Sequence, residues 1–247
     1  PYELDLYIPE LHVGIECNPT STHNSSVNTW NKDSAPLKRN YHQMKTKMCE
    51  DKGIFLFHIF GYEWETKRTV VESMLKNQIG CNERVVYARH TVVKEVSGKI
   101  AADFLDNNHR QGNTFSSVRL GLYTKDTDEL VSMMTFGKMR STIGTSNEDL
   151  SNCWELVRFC SVLGTTVVGG ASKLLYHFIH NYNPDKIRSF SDRAHTRGAL
   201  YEKLGFNEIR RSDPGYIWVN LSTDIAYHRV NAQKQHLKKF LNDDTVD

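Results

Sequence analysis

The stretch YELDLYIPELHVGIECNPTSTH, residues 2–23, decides how the chain begins to fold. Two short runs with apolar residues at every second position stand on either side of Pro9. Such alternation is typical of strands, and a proline between two alternating runs is typical of the corner of a hairpin. We therefore predict a β-hairpin that brings the carboxylates of Asp5 and Glu16 close together.

Two neighbouring carboxylates with an imidazole nearby predict a site for a divalent metal. Like charges side by side repel each other, and a cation between them keeps both ionised. Oxygen ligands favour Mg²⁺, and one nearby histidine, here His23, extends the choice to other first-row metals such as Mn²⁺. The alternative is a surface hairpin whose acidic side chains are solvated.

Composition limits the class of protein. The length of 247 residues allows one large core or two modest ones. The sequence contains no eighteen-residue apolar run and no leader, so we expect a soluble, unexported protein without a membrane partner. The net charge of +2 does not by itself indicate a nucleic-acid partner, and the five widely spaced cysteines indicate buried thiols of a reducing compartment. Because the chain starts inside a strand-like segment, we expect a fragment of something longer.

The first eighty residues predict a small mixed α/β domain in the order β, β, α, β, α. After the hairpin and a polar loop over 19–37, the spacing predicts a helix over 39–51 that Gly53 closes. The nearly continuous apolar run 54–60 predicts a strand buried on both faces, and a helix follows from Glu63 to Asn77.

His42 and Lys45 lie three residues apart, hence on one face of the predicted helix. Cleavage of a phosphodiester needs a metal-held nucleophile and positive charge near the scissile phosphate, and a basic helix beside an acidic metal site supplies both. Lys38 and Arg39 add positive charge for nucleic-acid binding. The alternative is that these residues form a solvated helix face.

Residues 84–222 predict a second domain, and 223–247 a basic C-terminal helix. The two strands 117–123 and 130–136 read as an antiparallel pair. The other predicted elements are strands over 84–89, 154–162 and 187–191, helices over 96–109 (with Ile100, Phe104 and Leu105 inward) and from Gly169, and a final helix over 195–206.

The turn Gly169-Gly170-Ala171-Ser172 stands between a strand and a helix, where converging backbone amides can bind a phosphate. Alternatively, the two glycines permit close packing of helix and strand. We predict that Trp154 and Trp218 are core residues, and that Arg158 and Asp192 form either an ion pair or a catalytic couple. Donors suited to phosphates or bases also occur in a polar loop and in the tail, at Arg110, Lys234 and Lys238.

The first domain resembles the Vsr-like branch of the PD-(D/E)XK nuclease superfamily, in particular the nuclease half of phage-encoded homing endonucleases of the Hef and EDxHD kind. The motifs that carry the resemblance are Asp5, Glu16-Cys17-Asn18, His23, Tyr41-His42 with Lys45, Gly53-Ile54 and Glu63-Trp64. The resemblance implies that Asp5 is a metal ligand, that His23 acts close to the scissile phosphate and that the helix with His42 and Lys45 borders the site. It also implies a nuclease domain that is incomplete at its N-terminus, encoded by a phage and located in the cytoplasm of the host.

The second domain resembles the GNAT acyltransferase fold over roughly residues 84–220. Gly169-Gly170-Ala171 followed by ALYEKLGF resembles the family's glycine turn, which binds the pyrophosphate of acetyl-CoA, and its Tyr-x-x-x-Gly-Phe segment. Glu155-Leu156-x-Arg158-Phe159-Cys160 with Ser191-Asp192 resembles the Mom-like GNAT domains of phage DNA modification. Thr166 departs from the family's usual basic residue or glutamine.

The sequence therefore predicts an α/β protein with a Vsr-like nuclease domain followed by a GNAT-like α+β domain. The favoured function is a DNA endonuclease that acts on double-stranded DNA with Mg²⁺ or Mn²⁺ held by Asp5 and Glu16. His23 or His42 would move a proton, and Lys45 would stabilise the charge on the phosphorane. The alternative is a nucleobase-modifying or acyl-CoA-dependent transferase whose second domain is catalytic through residues 169–173, Asp192 and Tyr201.

Overall fold

The structure is a computed structural model that describes residues 3–24, 40–139, 151–227, 236 and 238. In these residues the protein is of mixed α/β class. The chain divides into two compact units, Pro1–Arg68 with Glu208–Asp247, and Thr69–Asn207. The domain limits predicted at residues 80, 84 and 222 stay predictions.

The predicted hairpin opens the first unit. Strand β1 (Leu6–Ile8) pairs antiparallel with β2 (Val13–Asn18), with Leu6 opposite Ile15. A short 3-10 turn begins at Pro9, so the predicted corner is confirmed. Helix α1 (Tyr41–Glu50) follows, and β3 (Phe55–Phe60) returns parallel to β2, which gives a three-stranded sheet in the order β1-β2-β3.

Gly53 ends α1 as the sequence predicts. Its φ of +72° is left-handed, where glycine is unstrained. The Gly53 amide donates to Glu50 O at 2.8 Å, and the Ile54 amide donates to Cys49 O at 2.9 Å. These two bonds form a Schellman motif, which turns the chain directly into β3. Four consecutive β3 residues from Phe55 are buried, so the strand predicted to be buried on both faces is confirmed.

Helix α2 (Gly61–Gln78) leaves the helical conformation at Lys67 (φ −139°, ψ 32°), and the second unit begins two residues later. The first unit also contains the two-stranded hairpin of β11 (Trp218–Val219) and β12 (Ala226–Tyr227). Trp218 is 50% exposed there, so its prediction as a core residue is wrong. A two-stranded ribbon cannot enclose an indole ring by itself.

The second unit contains a five-stranded sheet in the order β10-β8-β7-β6-β5 and a separate parallel pair, β4 with β9. β6 and β7 pair antiparallel, as predicted, and β10 runs parallel to β8. The elements are β4 (Arg84–Tyr87), β5 (Thr91–Glu95), α3 (Gly98–Asn108), β6 (Val118–Thr124), β7 (Leu130–Lys138), β8 (Cys153–Ser161), β9 (Thr165–Val168), α4 (Gly170–Tyr182), β10 (Lys186–Arg188) and α5 (Ala199–Lys203). The sequence did not predict β5 and β9.

The core of the second unit lies between α4 and the sheet. Phe178 of α4 packs on Phe136 and on Trp154, which is 6% exposed, so the core prediction for Trp154 is confirmed. Phe104 and Leu105 of α3 are buried as predicted, but Ile100 is 50% exposed. The buried stripe of α3 runs through Ala101, and Ile100, one position earlier, is turned outward by the helical repeat. Within the described ranges, none of the helices is both long enough and apolar enough to cross a membrane.

Candidate active site

Asp5 and Glu16 become neighbours through the register of the hairpin. Leu6 is the first residue of β1 and lies opposite Ile15, so continuing the register one residue beyond the strand places Asp5 beside Glu16. The Cys17 amide donates to Asp5 Oδ2 at 2.7 Å, which fixes the Asp5 carboxylate at this end of β2. The pKa of the Cys17 thiol is raised, first by burial and then by the negative charges of Asp5 and Glu16.

Glu16 and Lys45 form a buried ion pair. Their residues are only 4% and 5% exposed, and Lys45 Nζ donates to Glu16 Oε1. The solvated-face alternative is therefore wrong for Lys45. The other carboxylate oxygen, Glu16 Oε2, is buried and has no hydrogen-bond partner. An oxygen of this kind is costly unless a ligand or a cation satisfies it.

His23 and His42 stack beside this pair, with ring centroids 5.2 Å apart. Burial, the charge of Lys45 and the proximity of His23 lower the pKa of His42 to about 4. Burial also lowers the pKa of His23. The negative charge of Asp5 offsets part of this decrease, and the positive charge of Lys45 adds to it. The Nδ1 atoms of both rings are buried without a hydrogen-bond partner. A lowered pKa favours the neutral imidazole at pH 7, which is the form that accepts a proton.

His58 is the site residue that sequence reasoning missed. It lies on β3 opposite Glu16 and is 1% exposed. Asn18 Nδ2 contacts its Nδ1 at 3.2 Å, and its Nε2 lies 2.8 Å from Thr46 Oγ1, whose hydroxyl donates to His42 O at 2.9 Å. Because the Thr46 proton is used on His42 O, His58 carries its proton on Nε2. The available signal was a histidine inside an otherwise apolar strand, which needs buried partners.

A turn directly after β2 positions His23. The amides of Thr22 and His23 both donate to Pro19 O, at 3.1 and 2.9 Å. Gly61 approaches this turn so closely that an added Cβ would lie 2.7 Å from Thr20 N. The turn also borders a cleft of about 310 Å³, lined by Pro19, Thr20, Ser21, Gly61, Glu65, Leu221 and Asp224.

The hairpin carboxylates fit a divalent cation that keeps most of its water. No three His, Cys, Asp or Glu side chains of the described residues are arranged as a metal-binding group. Mg²⁺ in enzyme sites is, however, usually bound by one or two carboxylates together with water and substrate phosphate. Asp5 beside Glu16, with Glu16 Oε2 unsatisfied, is such a donor set.

The structure describes only some of the other residues predicted to contact nucleic acid. Lys38, Arg39 and Lys234 lie outside the described residues, and Lys238 is exposed. Arg110 forms an ion pair with Asp192.

Asp192 does not pair with Arg158, so the predicted ion pair of these two residues is wrong. Arg158 Nε donates instead to Gly112 O at 3.2 Å. Burial would raise the pKa of Asp192, but the hydrogen bond to His195 and the charge of Arg110 outweigh it and hold that pKa far below its ordinary value.

One glycine of the turn before α4, Gly170, serves packing. Gly169 has a φ of +76° and is the N-cap of α4. Gly170 and Ala171 are buried, whereas Ser172 is exposed. A Cβ on Gly170 would lie 2.8 Å from Val167 Cγ1 and 3.2 Å from Leu122 Cδ1. The packing alternative is therefore confirmed for Gly170, and phosphate binding by this turn stays a hypothesis.

Gly170→Ala is expected to lower the free energy of unfolding of the second unit by about 1–3 kcal/mol, because the added methyl group overpacks the contact with Val167. Urea-induced unfolding measures the change. Gly98→Ala is the matched control, since a Cβ on this glycine at the start of α3 has no heavy atom within 4 Å. Equal stability of the two variants would contradict the packing role.

Comparison with known proteins assigns the chain to no family. None of the family models matches it, and none of the curated proteins does.

Proposed function

We propose that the first unit is a metal-dependent DNA endonuclease of the homing type, which hydrolyses phosphodiester bonds of double-stranded DNA, and that the second unit assists DNA recognition. The observation that supports this most strongly is the unsatisfied Oε2 of Glu16 next to Asp5. A buried carboxylate oxygen without a donor, on a residue that the hairpin register places beside the exposed carboxylate of Asp5, suits a hydrated Mg²⁺ or Mn²⁺ ion.

Asp5 and Glu16 are the residues that would hold this ion. When bound, the metal supplies an acidified water and a positive charge against the scissile phosphate. Lys45 pairs with the buried carboxylate of Glu16 and adds a positive charge at the site. The Cys17 amide, bonded to Asp5 Oδ2, orients that carboxylate.

His23 is the better candidate for proton acceptor. A general base works best when its pKa lies near the operating pH, and a pKa of about 4 makes His42 too weak at neutral pH. The charge of Asp5 partly offsets the lowered pKa of His23. His42 then positions His23 by stacking, and its own backbone is held through Thr46 and His58.

Asp5→Ala is expected to slow cleavage of supercoiled plasmid DNA by at least about 10- to 100-fold, since loss of a residue that only supports a metal ligand already has an effect of that size. Because Glu16 remains, raising the concentration of Mg²⁺ or Mn²⁺ should restore part of the activity. Nicking is measured as conversion of supercoiled to open-circular plasmid.

Glu10→Gln is the matched control, because Glu10 is an exposed carboxylate on the turn of the same hairpin. It should cleave like the wild type. Equal cleavage by wild type and Asp5→Ala would remove the nuclease proposal.

The transferase alternative is supported by one observation in the second unit. Gly169, the N-cap of α4, has no side chain that could accept hydrogen bonds from the first amides of the helix. Such amides can bind a phosphate of acetyl-CoA. Calorimetry with acetyl-CoA separates the two proposals, because the endonuclease needs no such ligand.

A further inference from the structure

Two phenylalanines of the second unit are exposed against the usual preference of their side chain. Phe115 is 76% exposed and Phe190 is 79% exposed. Every other phenylalanine of the described residues is buried or half-buried. Burial of an aromatic ring is strongly favourable, so two rings left in solvent on segments that contact each other indicate a surface that a ligand covers.

The segments that carry these rings converge on β8. Phe115 follows Gly112, whose carbonyl accepts from Arg158 of β8 at 3.2 Å. Phe190 follows Ser189, whose hydroxyl donates to the carbonyl of Leu156, also on β8, at 3.0 Å. The two anchoring points on the strand are therefore only two residues apart.

A direct ion pair also joins the two segments. Arg110, just before Gly112, contacts Asp192, just after Phe190. The Ala194 amide donates to Asp192 Oδ1 at 3.1 Å, and the Asn113 amide donates to Asp106 Oδ1 at 2.7 Å. These bonds hold both segments in defined conformations, so the rings are presented on an ordered surface.

The two segments that carry the rings, residues 109–117 and 186–197, and the strand β8 are rich in arginine. Burial and the charge of Arg110 both lower the pKa of Arg158, whereas Glu155 raises it, so these three groups share one electrostatic environment. The arginines of the two segments and of β8 outnumber the carboxylates Asp192 and Glu155. They are Arg110, Arg158, Arg188, Arg193 and Arg197. The partner should therefore be an anion.

We infer that Phe115 and Phe190, with the surrounding arginines, bind unpaired nucleotides of a DNA strand by stacking on their bases. An exposed aromatic ring together with positive charge is the combination that single strands use, because phosphates contact the cations and base faces contact the rings. In a duplex the base faces are covered by neighbouring bases, so these rings select a strand end, a bulge or an extruded base. The inference rests on the proposed function for the choice of nucleic acid as partner.

Binding of a fluorescently labelled oligothymidine strand to the full chain, followed by anisotropy in EDTA, tests this surface without cleavage. Phe115→Ala and Phe190→Ala are each expected to weaken binding by about 5- to 150-fold, the range for loss of one base-stacking contact. Phe190→Tyr should bind like the wild type, because it keeps a ring. A duplex of equal length should bind more weakly than the single strand.

Tyr176→Ala is the matched control, because Tyr176 of α4 is 72% exposed in the same unit. It should bind the strand normally, and thermal melts of all variants establish that they are folded. Unchanged binding by both alanine variants, equal loss in Tyr176→Ala, or preference for the duplex would each overturn the inference. Strand binding in EDTA without plasmid cleavage in Mg²⁺ would support this surface and remove the nuclease proposal. Plasmid cleavage in Mg²⁺ without strand binding in EDTA would overturn the inference and support the nuclease proposal.

Discussion

Replacing Lys45 by methionine is expected to lower the free energy of unfolding of the first unit by about 3–5 kcal/mol, because the buried carboxylate of Glu16 loses its counter-charge. The size follows from burial, since both residues of the pair are almost fully enclosed. Hydrogen exchange of peptides that cover β2 and β3, measured at increasing urea concentration, reports this unit separately from the other.

Arg211→Met provides the control within the same unit. Arg211 pairs with Glu208 and Glu50, but its side chain is 52% exposed, so its loss should cost no more than about 1 kcal/mol. The double variant Glu16→Gln with Lys45→Met should be more stable than Lys45→Met, because no isolated charge remains buried. A Lys45→Met protein as stable as Arg211→Met would show that the pair is not enclosed.

His23→Gln is expected to slow plasmid nicking by about 10²- to 10⁴-fold, the usual contribution of a positioned proton acceptor. The pH profile identifies the role. Because the pKa of His23 lies below the ordinary 6.5, the imidazole is neutral above that pH. Cleavage by the wild type should therefore lose rate only as the pH falls below 6.5, and this acid limb should be absent from the residual activity of His23→Gln.

His12→Asn serves as the control for this variant. His12 is an exposed histidine of the same unit with a φ of +50°, a conformation that asparagine tolerates. It should keep both the rate and the acid limb. If His23→Gln slowed cleavage but kept the acid limb, His23 would have a structural role and another group would accept the proton.

The sequence predicted the elements whose signals are local. Alternation in the opening stretch defined the hairpin. The pairing of its two strands then places Asp5, just before β1, beside Glu16 of β2. A glycine after a helical stretch predicted the end of α1. The five residues proposed for catalysis also lie together, since Lys45 pairs with Glu16, His23 stacks on His42 and the Asp5 carboxylate is bonded next to Glu16, at the Cys17 amide.

The remaining features depend on contacts between residues distant in sequence. The enclosure of Lys45 requires Glu16, 29 residues earlier, and a charged residue on a helix gives no local sign of such a partner. The partners of His58 lie on β2 and α1, and Asp192 finds Arg110 82 positions away. Trp218 and Ile100 were wrongly predicted to be buried. A hydrophobic side chain prefers burial, but other residues must cover it, and its own hydrophobicity does not show whether they do.

The first compact unit is discontinuous in sequence, since Pro1–Arg68 is joined by Glu208–Asp247 while Thr69–Asn207 is one unbroken segment. During synthesis the ribosome therefore releases all of Thr69–Asn207, the inner unit, before it releases Glu208–Asp247, which completes the first or outer unit. Domains fold as their residues emerge, so the inner unit can reach its native state first. The residues proposed to cut DNA precede the inner unit in the sequence but belong to a unit that is completed only after it, which would delay the proposed nuclease activity until Glu208–Asp247 has been synthesised.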